Sequence, residues 1–242
     1  MRMSVITVTY NSARSFERTV ASVCAQKIAG LEYVVIDGGS TDGTVDMIRA
    51  HLAAGEISAY VSERDEGISD AFNKGIAATQ GDLVGILNSD DYYLDGALRR
   101  VLAVFESRPV PAVVYGNMVR ERAGGRTRVR PRHCPRLWRY VDAPFDHPAV
   151  FVHRAIYAKV GVYNTRYRYA MDYDFYLRAM KAGVPFVRID EDLTVFNADG
   201  ISGRAPRACH REVLRSQLAN GLFPPVCYTT FVAKMLVSYL KS

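Results

Sequence analysis

The chain has 242 residues, 49% apolar and 23% charged, which excludes a disordered or fibrous protein and fits one large domain or a domain with an appendage. Its formal charge is +6, and its four cysteines, Cys24, Cys134, Cys209 and Cys227, lack the paired spacing of zinc or redox sites; they read as reduced thiols, with Cys24 in the core. No signal-peptide pattern precedes the first apolar run, and the stretch 222–240 is interrupted by Pro224, Pro225 and Lys234, which makes it a poor membrane span.

In chain order, the first third alternates strand and helix patterns. Residues 4–9 form a strand-like run that ends in Thr9, Tyr10 and Asn11. A helical face at Phe16, Val20, Val23 and Cys24 follows, then a strand over 31–36 that ends at Asp37. Val45, Ile48 and Leu52 mark a second helix, residues 57–61 a third strand, and Ile68, Ala71, Phe72 and Ile76 a third helical face. The short apolar strand 83–87 empties into Asn88, Ser89, Asp90 and Asp91. Strands this apolar, alternating with helices, predict an α/β fold with a Rossmann-like, mostly parallel central sheet flanked by helices. Ligands of such sheets bind beyond the carboxyl ends of the strands, so the polar residues after each strand should converge on one crevice.

After about residue 105 the pattern changes. A strand over 112–115 leads into an Arg-rich segment, followed by a strand over 149–152, a helix from Arg154, a helix over about 172–182 and a strand over 185–189. From Pro206 the chain reads as helical, with Pro224 and Pro225 as a break.

Adjacent carboxylates at the end of a buried strand repel each other. Asp90 and Asp91 therefore suit a hard divalent cation, Mg²⁺ or Mn²⁺, shared with substrate phosphates; a solvated turn is the alternative. In the turn over 37–44, Ser40, Thr41 and Asp42 are placed to cap the next helix, and Asp37 to accept hydrogen bonds from a base or ribose. Neither G-x-G-x-x-G nor a Walker A lysine motif is present.

Together these segments resemble the inverting family 2 glycosyltransferases of the GT-A fold, in the variety that builds bacterial surface polysaccharides. The resemblance rests on Val8-Thr9-Tyr10-Asn11, the turn over 37–44, the run from Ser62 to Gly75, Gly81-Asp82 through Asp91, and the run from Met171 to Arg178. It implies a nucleotide-sugar-binding half over 1–105, an acceptor-side and catalytic-base half over 106–205, and a helical extension over 206–242. It further implies that Thr9, Tyr10, Asn11, Asp37 and Ser40 hold a nucleoside, usually uridine, with Asp65 near the base or ribose. Asp70 and Asn73 would face the sugar and Lys74 the phosphates. Asn88, Ser89, Asp90 and Asp91 stand in place of a D-x-D motif, with Asp91 on the metal and Asp90 beside it. The chain departs from the pattern at Asn88, where relatives often have Asp, and at Met171, where an E-D pair usually has Glu.

Asp172, in the first turn of its helix, is the candidate general base. Asp174 is its competitor, explained otherwise by a surface pair with Arg178 one turn on. His147 and Tyr169 are acceptor-side candidates. The implied partners are a nucleotide-diphospho-sugar donor and a saccharide or polyprenyl-diphosphate-linked saccharide acceptor, in the cytoplasm.

Arg126, Arg128, Arg130 and Arg132 alternate, within a cluster that also holds Arg120, Arg122, Arg136 and Arg139. A one-sided row of Arg suits an anionic membrane surface, or else is a solvated edge ribbon; no nucleic-acid motif accompanies it. The apolar segment 231–241 would dock on the domain's own core, or on a partner or membrane surface. Two other functions fit an acidic α/β crevice: a sugar-phosphate nucleotidyltransferase, or a non-catalytic nucleotide- or nucleic-acid-binding protein. The first lacks its glycine-rich basic turn at Thr9 to Ser12.

Overall fold

In the computed structural model, which describes residues 1–108, 110–131, 138–141, 145–197 and 206–240, every residue of β1 (Met3–Thr9) is buried. Successive side chains of a strand point to opposite faces, and here both faces are apolar: Val5 joins one hydrophobic cluster and Ile6 the other. The strand is thus covered on both sides, as its unbroken hydrophobicity requires.

Parallel pairing builds outward from β1. It lies between β2 (Glu32–Asp37) and β4 (Leu83–Asn88), and β2 pairs with β3 (Ala59–Ser62). Beyond β4 come β8 (Val150–His153, antiparallel), β6 (Val113–Arg122), β9 (Phe186–Asn197, parallel to β6) and the two-residue β5 (Tyr92–Tyr93); β7 (Gly125–Val129) forms a hairpin with β6. The nine strands form one sheet.

Helices α1 (Phe16–Cys24), α2 (Thr44–Ala53) and α4 (Ala97–Ser107) cover one face through Phe16, Val20, Ile48, Leu98, Val101 and Phe105. Cys24 is half-buried at the edge of this layer. The other face is covered by α3 (Ile68–Ala78), α5 (Arg154–Val160) and α6 (Met171–Lys181), through Phe72, Ile76, Ile156, Phe175 and Tyr176. Gly75 lets α3 approach the sheet closely, since a Cβ there would collide with the Ile6 side chain.

The last two helices form a hairpin. On α7 (Pro206–Ala219), Val213 packs with Tyr173 and Leu177 of α6. Pro224 and Pro225, expected as a break, are the first residues of α8 (Pro224–Leu240), where a missing N–H costs nothing. Docking of this segment on the domain's core is not what the structure holds: α8 packs along α7, and Cys227 is its one buried residue.

Candidate active site

The strand register aligns the polar ends. Thr9 is paired with Asp37, Asp37 with Ser62, and Val8 with Asn88. Just beyond, Gly38 donates its N–H to the Thr9 carbonyl at 2.9 Å, Glu63 to Asp37 at 3.0 Å and Ser89 to Val8 at 3.1 Å. The parallel ladder thus continues into the loops and brings all four turns to one edge, as expected.

Asp37 lies beneath this crevice rather than in it. Its side chain is fully buried. Oδ2 accepts from the N–H of Gly39 (3.1 Å), the N–H of Ser40 (3.0 Å) and Ser62 Oγ (2.7 Å), and Oδ1 accepts from Ser40 Oγ. Asp37 and Ser40 therefore shape the turn. Asn11, in a left-handed conformation (φ 50°), ties it to β1: its N–H donates to Ser40 Oγ and its Oδ1 accepts from Thr41 N–H, both at 2.8 Å. The cap of α2 is Gly43; Asp42 instead takes N–H groups from Thr44 at 3.1 Å and Ala13 at 3.0 Å.

Tyr10, 63% exposed, faces the opening with the half-buried Asp65, and Gly38 is buried beneath the two. A Cβ on Gly38 would fall 2.5 Å from Asp65 Oδ2 and 3.5 Å from the Tyr10 ring. An open aromatic face and a partly exposed carboxylate therefore stand together over a buried glycine. The Asp65 carboxylate is held in place by the Gly67 N–H at 2.9 Å. Nearby Thr9 Oγ1 is buried without a hydrogen-bond partner.

At the end of β4, Asp91 is fully buried and Asp90 half-buried. Asp91 accepts only neutral donors: the Asn197 N–H at 3.0 Å and Asn88 Nδ2 at 3.3 Å. Burial, and then the charge of Asp90, push its carboxyl well above the ordinary range; burial also raises Asp90. Asn88 Oδ1 is buried with no partner. Two crowded carboxylates and an orphaned amide oxygen form an oxygen donor set deficient in positive charge, which fits a hard dication. Among the described residues no group of three or more His, Cys, Asp or Glu side chains is placed to hold a metal. The remaining ligands of such an ion would be phosphate and water oxygens. Arg18 of α1 approaches from the other side, donating to the Asp90 carbonyl at 3.2 Å and to Glu121 at 3.2 Å.

Asp172 and Asp174 occupy the first turn of α6 in different surroundings. Asp174 is buried: Oδ2 pairs with Arg178 Nε at 2.8 Å, and Oδ1 accepts from Ser216 Oγ at 3.0 Å and Asn220 Nδ2 at 3.1 Å. It is an internal brace between α6 and α7, not the surface pair expected. Asp172 is half-buried, and its charge, after burial itself, raises the Tyr176 hydroxyl. Asp146 acts on the same hydroxyl. Beside them His147 stacks on Phe72 at 4.7 Å, its Nε2 buried without a partner, and burial lowers its pKa to about 4.

Asn73, Lys74 and Tyr169, expected near the ligands, also make contacts within the protein, as does Ser69. The Asn73 amide grips the backbone of Tyr163, Nδ2 donating to the carbonyl at 2.8 Å and Oδ1 accepting the N–H at 2.9 Å. Ser69 Oγ donates to the Tyr167 carbonyl at 2.7 Å. Lys74 is held by Glu63 at 2.8 Å and Asp70 at 3.1 Å. Tyr169 is half-buried, and its N–H, with those of Arg168 and Ala170, is bound by Glu212 of α7 at 2.7, 3.1 and 3.0 Å respectively. Neither Glu212 nor Arg18 carries a local sequence signal, because each reaches its partner only through the fold.

Two arginines of the ribbon are paired with acids. Arg126 pairs with Glu121 at 2.7 Å and Arg128 with Asp192 at 2.6 Å, which lowers the net charge of this edge. Arg132 and Arg136, like Cys134, lie outside the described residues.

The family model described as Glycosyl transferase family 2 matches residues 4–190. An uncharacterized glycosyltransferase of Mycobacterium tuberculosis is 35% identical over 221 residues, covering 88% of this chain and 82% of its own. A PGL/p-HBAD biosynthesis glycosyltransferase of the same species is 31% identical over 188 residues, covering 72% and 68%. In fold, the chain is similar to Staphylococcus aureus TarS (TM-score 0.72, 18% identity, covering 97% of this chain), spanning 43% of that longer protein. A TarS fragment in complex with UDP-GlcNAc superposes with TM-score 0.68 at 16% identity, over 97% of this chain and 72% of its own. The mannosyltransferase PcManGT from Pyrobaculum calidifontis, in complex with GDP-Man and Mn²⁺, does so with TM-score 0.68 at 19% identity, over 99% and 75%. These are GT-A folds, and so is this one.

Proposed function

The chain belongs to glycosyl transferase family 2, and from that premise we propose that it moves a sugar from a UDP-sugar to a hydroxyl of a saccharide or lipid-linked saccharide, with inversion, using Mg²⁺ or Mn²⁺, in surface-polysaccharide biosynthesis. We place this reaction in the cytoplasm. The observation that carries this assignment is the Asp90–Asp91 pair, one carboxylate buried and the other half-buried, on the same edge as Tyr10 and Asp65. A base stacks on the exposed Tyr10 ring, and the Asp65 carboxylate accepts its N–H or ribose hydroxyls. Asp91 and Asp90, with Asn88 Oδ1, would hold the cation, which supplies charge neutralisation to the departing diphosphate.

Asp172 takes the proton of the acceptor hydroxyl as that oxygen forms its bond to the anomeric carbon. The bond from that carbon to the diphosphate oxygen breaks on the opposite face, so the centre inverts, through a transition state with oxocarbenium character. Asn73, Ser69 and Glu212 fix the segment 163–170 that enters α6, and so hold Asp172 for in-line attack.

Thermal unfolding with UDP, GDP, dTDP and CMP, each with and without Mn²⁺, tests this. UDP with Mn²⁺ should stabilise most, by about 2.7 kcal/mol at a hundredfold excess over Kd, and Asp91→Asn should remove the Mn²⁺-dependent part. Failure of every nucleotide to stabilise the wild-type chain sinks the proposal.

A further inference from the structure

One surface of the molecule is left without a role by this chemistry. In α8 there is a single charged residue, Lys234, and it is half-buried. The rest of the helix presents Tyr228, Val232, Leu236, Val237, Tyr239 and Leu240 to solvent, with Leu236 60% and Leu240 84% exposed. These positions fall on one broad side, because 228, 232, 236 and 240 recur every four residues. A contiguous apolar helix face of this kind marks an interaction surface rather than scattered surface hydrophobes.

The neighbouring helix supplies the matching charge. On α7, Arg207, Arg211 and Arg215 are exposed and also recur every four residues. The Arg207 guanidinium lies 5.5 Å from the centre of the Tyr239 ring, so the basic row meets the apolar face at the open end of the hairpin. Polar groups of α7 and the turn after it, Glu212, Ser216, Gln217 and Asn220, are turned inward to α6 and its approach.

We propose that the α7–α8 hairpin is a docking surface for an anionic lipid bilayer, with the α8 side chains entering the headgroup boundary and the α7 arginines meeting lipid phosphates. The combination of a wide apolar side and adjacent Arg is that of a helix lying in the membrane interface. No helix among the described residues is long and apolar enough to cross a membrane, so the attachment is to one leaflet. A second copy of the chain suits this face poorly: a two-fold contact through α8 brings two Arg rows together with no acidic side chain on α8 to answer them. The surface is independent of the glycosyl-transfer assignment, and it replaces the self-paired β6–β7 ribbon as the membrane-facing element.

Flotation of the full chain with vesicles tests it, using phosphatidylcholine alone and phosphatidylcholine mixed with phosphatidylglycerol. Wild type should float with the mixed vesicles and much less with the neutral ones. Leu236→Glu combined with Val232→Glu should lower binding by at least about tenfold, and Arg211→Gln or Arg215→Gln by about fivefold each. Arg126→Gln should leave it unchanged. Unaltered nucleotide-induced stabilisation in every variant shows that the fold is intact. Equal or absent flotation with both vesicle types, or binding indifferent to the hairpin variants, overturns the proposal. So does a wild-type dimer that Leu236→Glu disperses.

Discussion

Asp174 Oδ1 accepts a hydrogen bond from Ser216 Oγ at 3.0 Å, while Asp172, two residues earlier, accepts the N–H of Tyr173 on Oδ1 at 2.7 Å. Two acids of one helical turn thereby separate into a brace and a candidate base. Asp174 has both oxygens engaged by Arg178, Ser216 and Asn220. Its carboxylate is thus committed to a structural tie between α6, α7 and the turn after it.

Asp172→Asn should lower kcat by about 10²- to 10⁴-fold, the usual contribution of a positioned base. Because the proposal gives Asp172 the acceptor proton and not the nucleotide, UDP-induced stabilisation should be retained. Steady-state kinetics beside a thermal shift with UDP check both halves; near-normal turnover removes Asp172 from the mechanism.

Asp174→Ala should cost stability instead, about 3 kcal/mol, because it strips a buried partner from Arg178 and leaves Ser216 and Asn220 unsatisfied. Urea unfolding measures the loss directly. The pH profile of residual turnover should keep its wild-type shape; a displaced acidic limb would instead mark Asp174 as a titrating catalytic group.

Gly38→Ala should weaken nucleotide binding by about tenfold, the loss of one well-placed hydrogen bond. The new methyl group would stand 2.5 Å from Asp65 Oδ2 and drive that carboxylate off its place above the turn. Gly38 does not use a left-handed conformation, so the melting temperature of the free protein should hardly move. Calorimetric titration with UDP distinguishes this outcome from unchanged affinity, which would show that Asp65 does not touch the nucleotide.

His147 makes stability depend on pH. Burial lowers its folded pKa to about 4, against about 6.5 in an unfolded chain. The unfolded state therefore takes up the proton first as pH falls. The stabilisation is complete above about pH 6.5 and is lost as pH drops toward 4, a change on the order of 2 kcal/mol. Melting curves across that window should show a shallower decline in His147→Gln than in wild type. Identical declines would mean that His147 is solvated.

Much of the scaffold was legible from the chain alone. The strands over 4–9, 31–36 and 83–87 and the helical faces between them were visible because strand and helix periods are local properties of the sequence, and β1, β2 and β4 occur where the apolar runs predict. The strand-end rule likewise foresaw that the loops after β1, β2, β3 and β4 would share an edge. Less visible were β5, too short to have a pattern, and β9, which runs to Asn197 and delivers the N–H that Asp91 accepts.

The individual roles were harder to read, for a consistent reason. Asp37, Ser40 and Asn73 were expected at the ligand, yet their polar atoms are taken up by Ser62, Asn11 and Tyr163. Asn73 and Tyr163 are 90 residues apart, and Glu212 lies 42 to 44 residues beyond the N–H groups it binds. Arg126 and Arg128 alternate as read, but Glu121 of β6 and Asp192 of β9 pair with them.

By itself, then, the sequence determined the α/β scaffold, the edge at which chemistry occurs and the acidic pair at its centre, because hydrophobic period and turn composition act over a few residues. The tertiary structure decided that Asp174 is a buried brace while Asp172 is half-buried, and that the apolar side of α8 stays uncovered. Those outcomes depend on hydrogen bonds and packing between segments that meet only after the chain has folded.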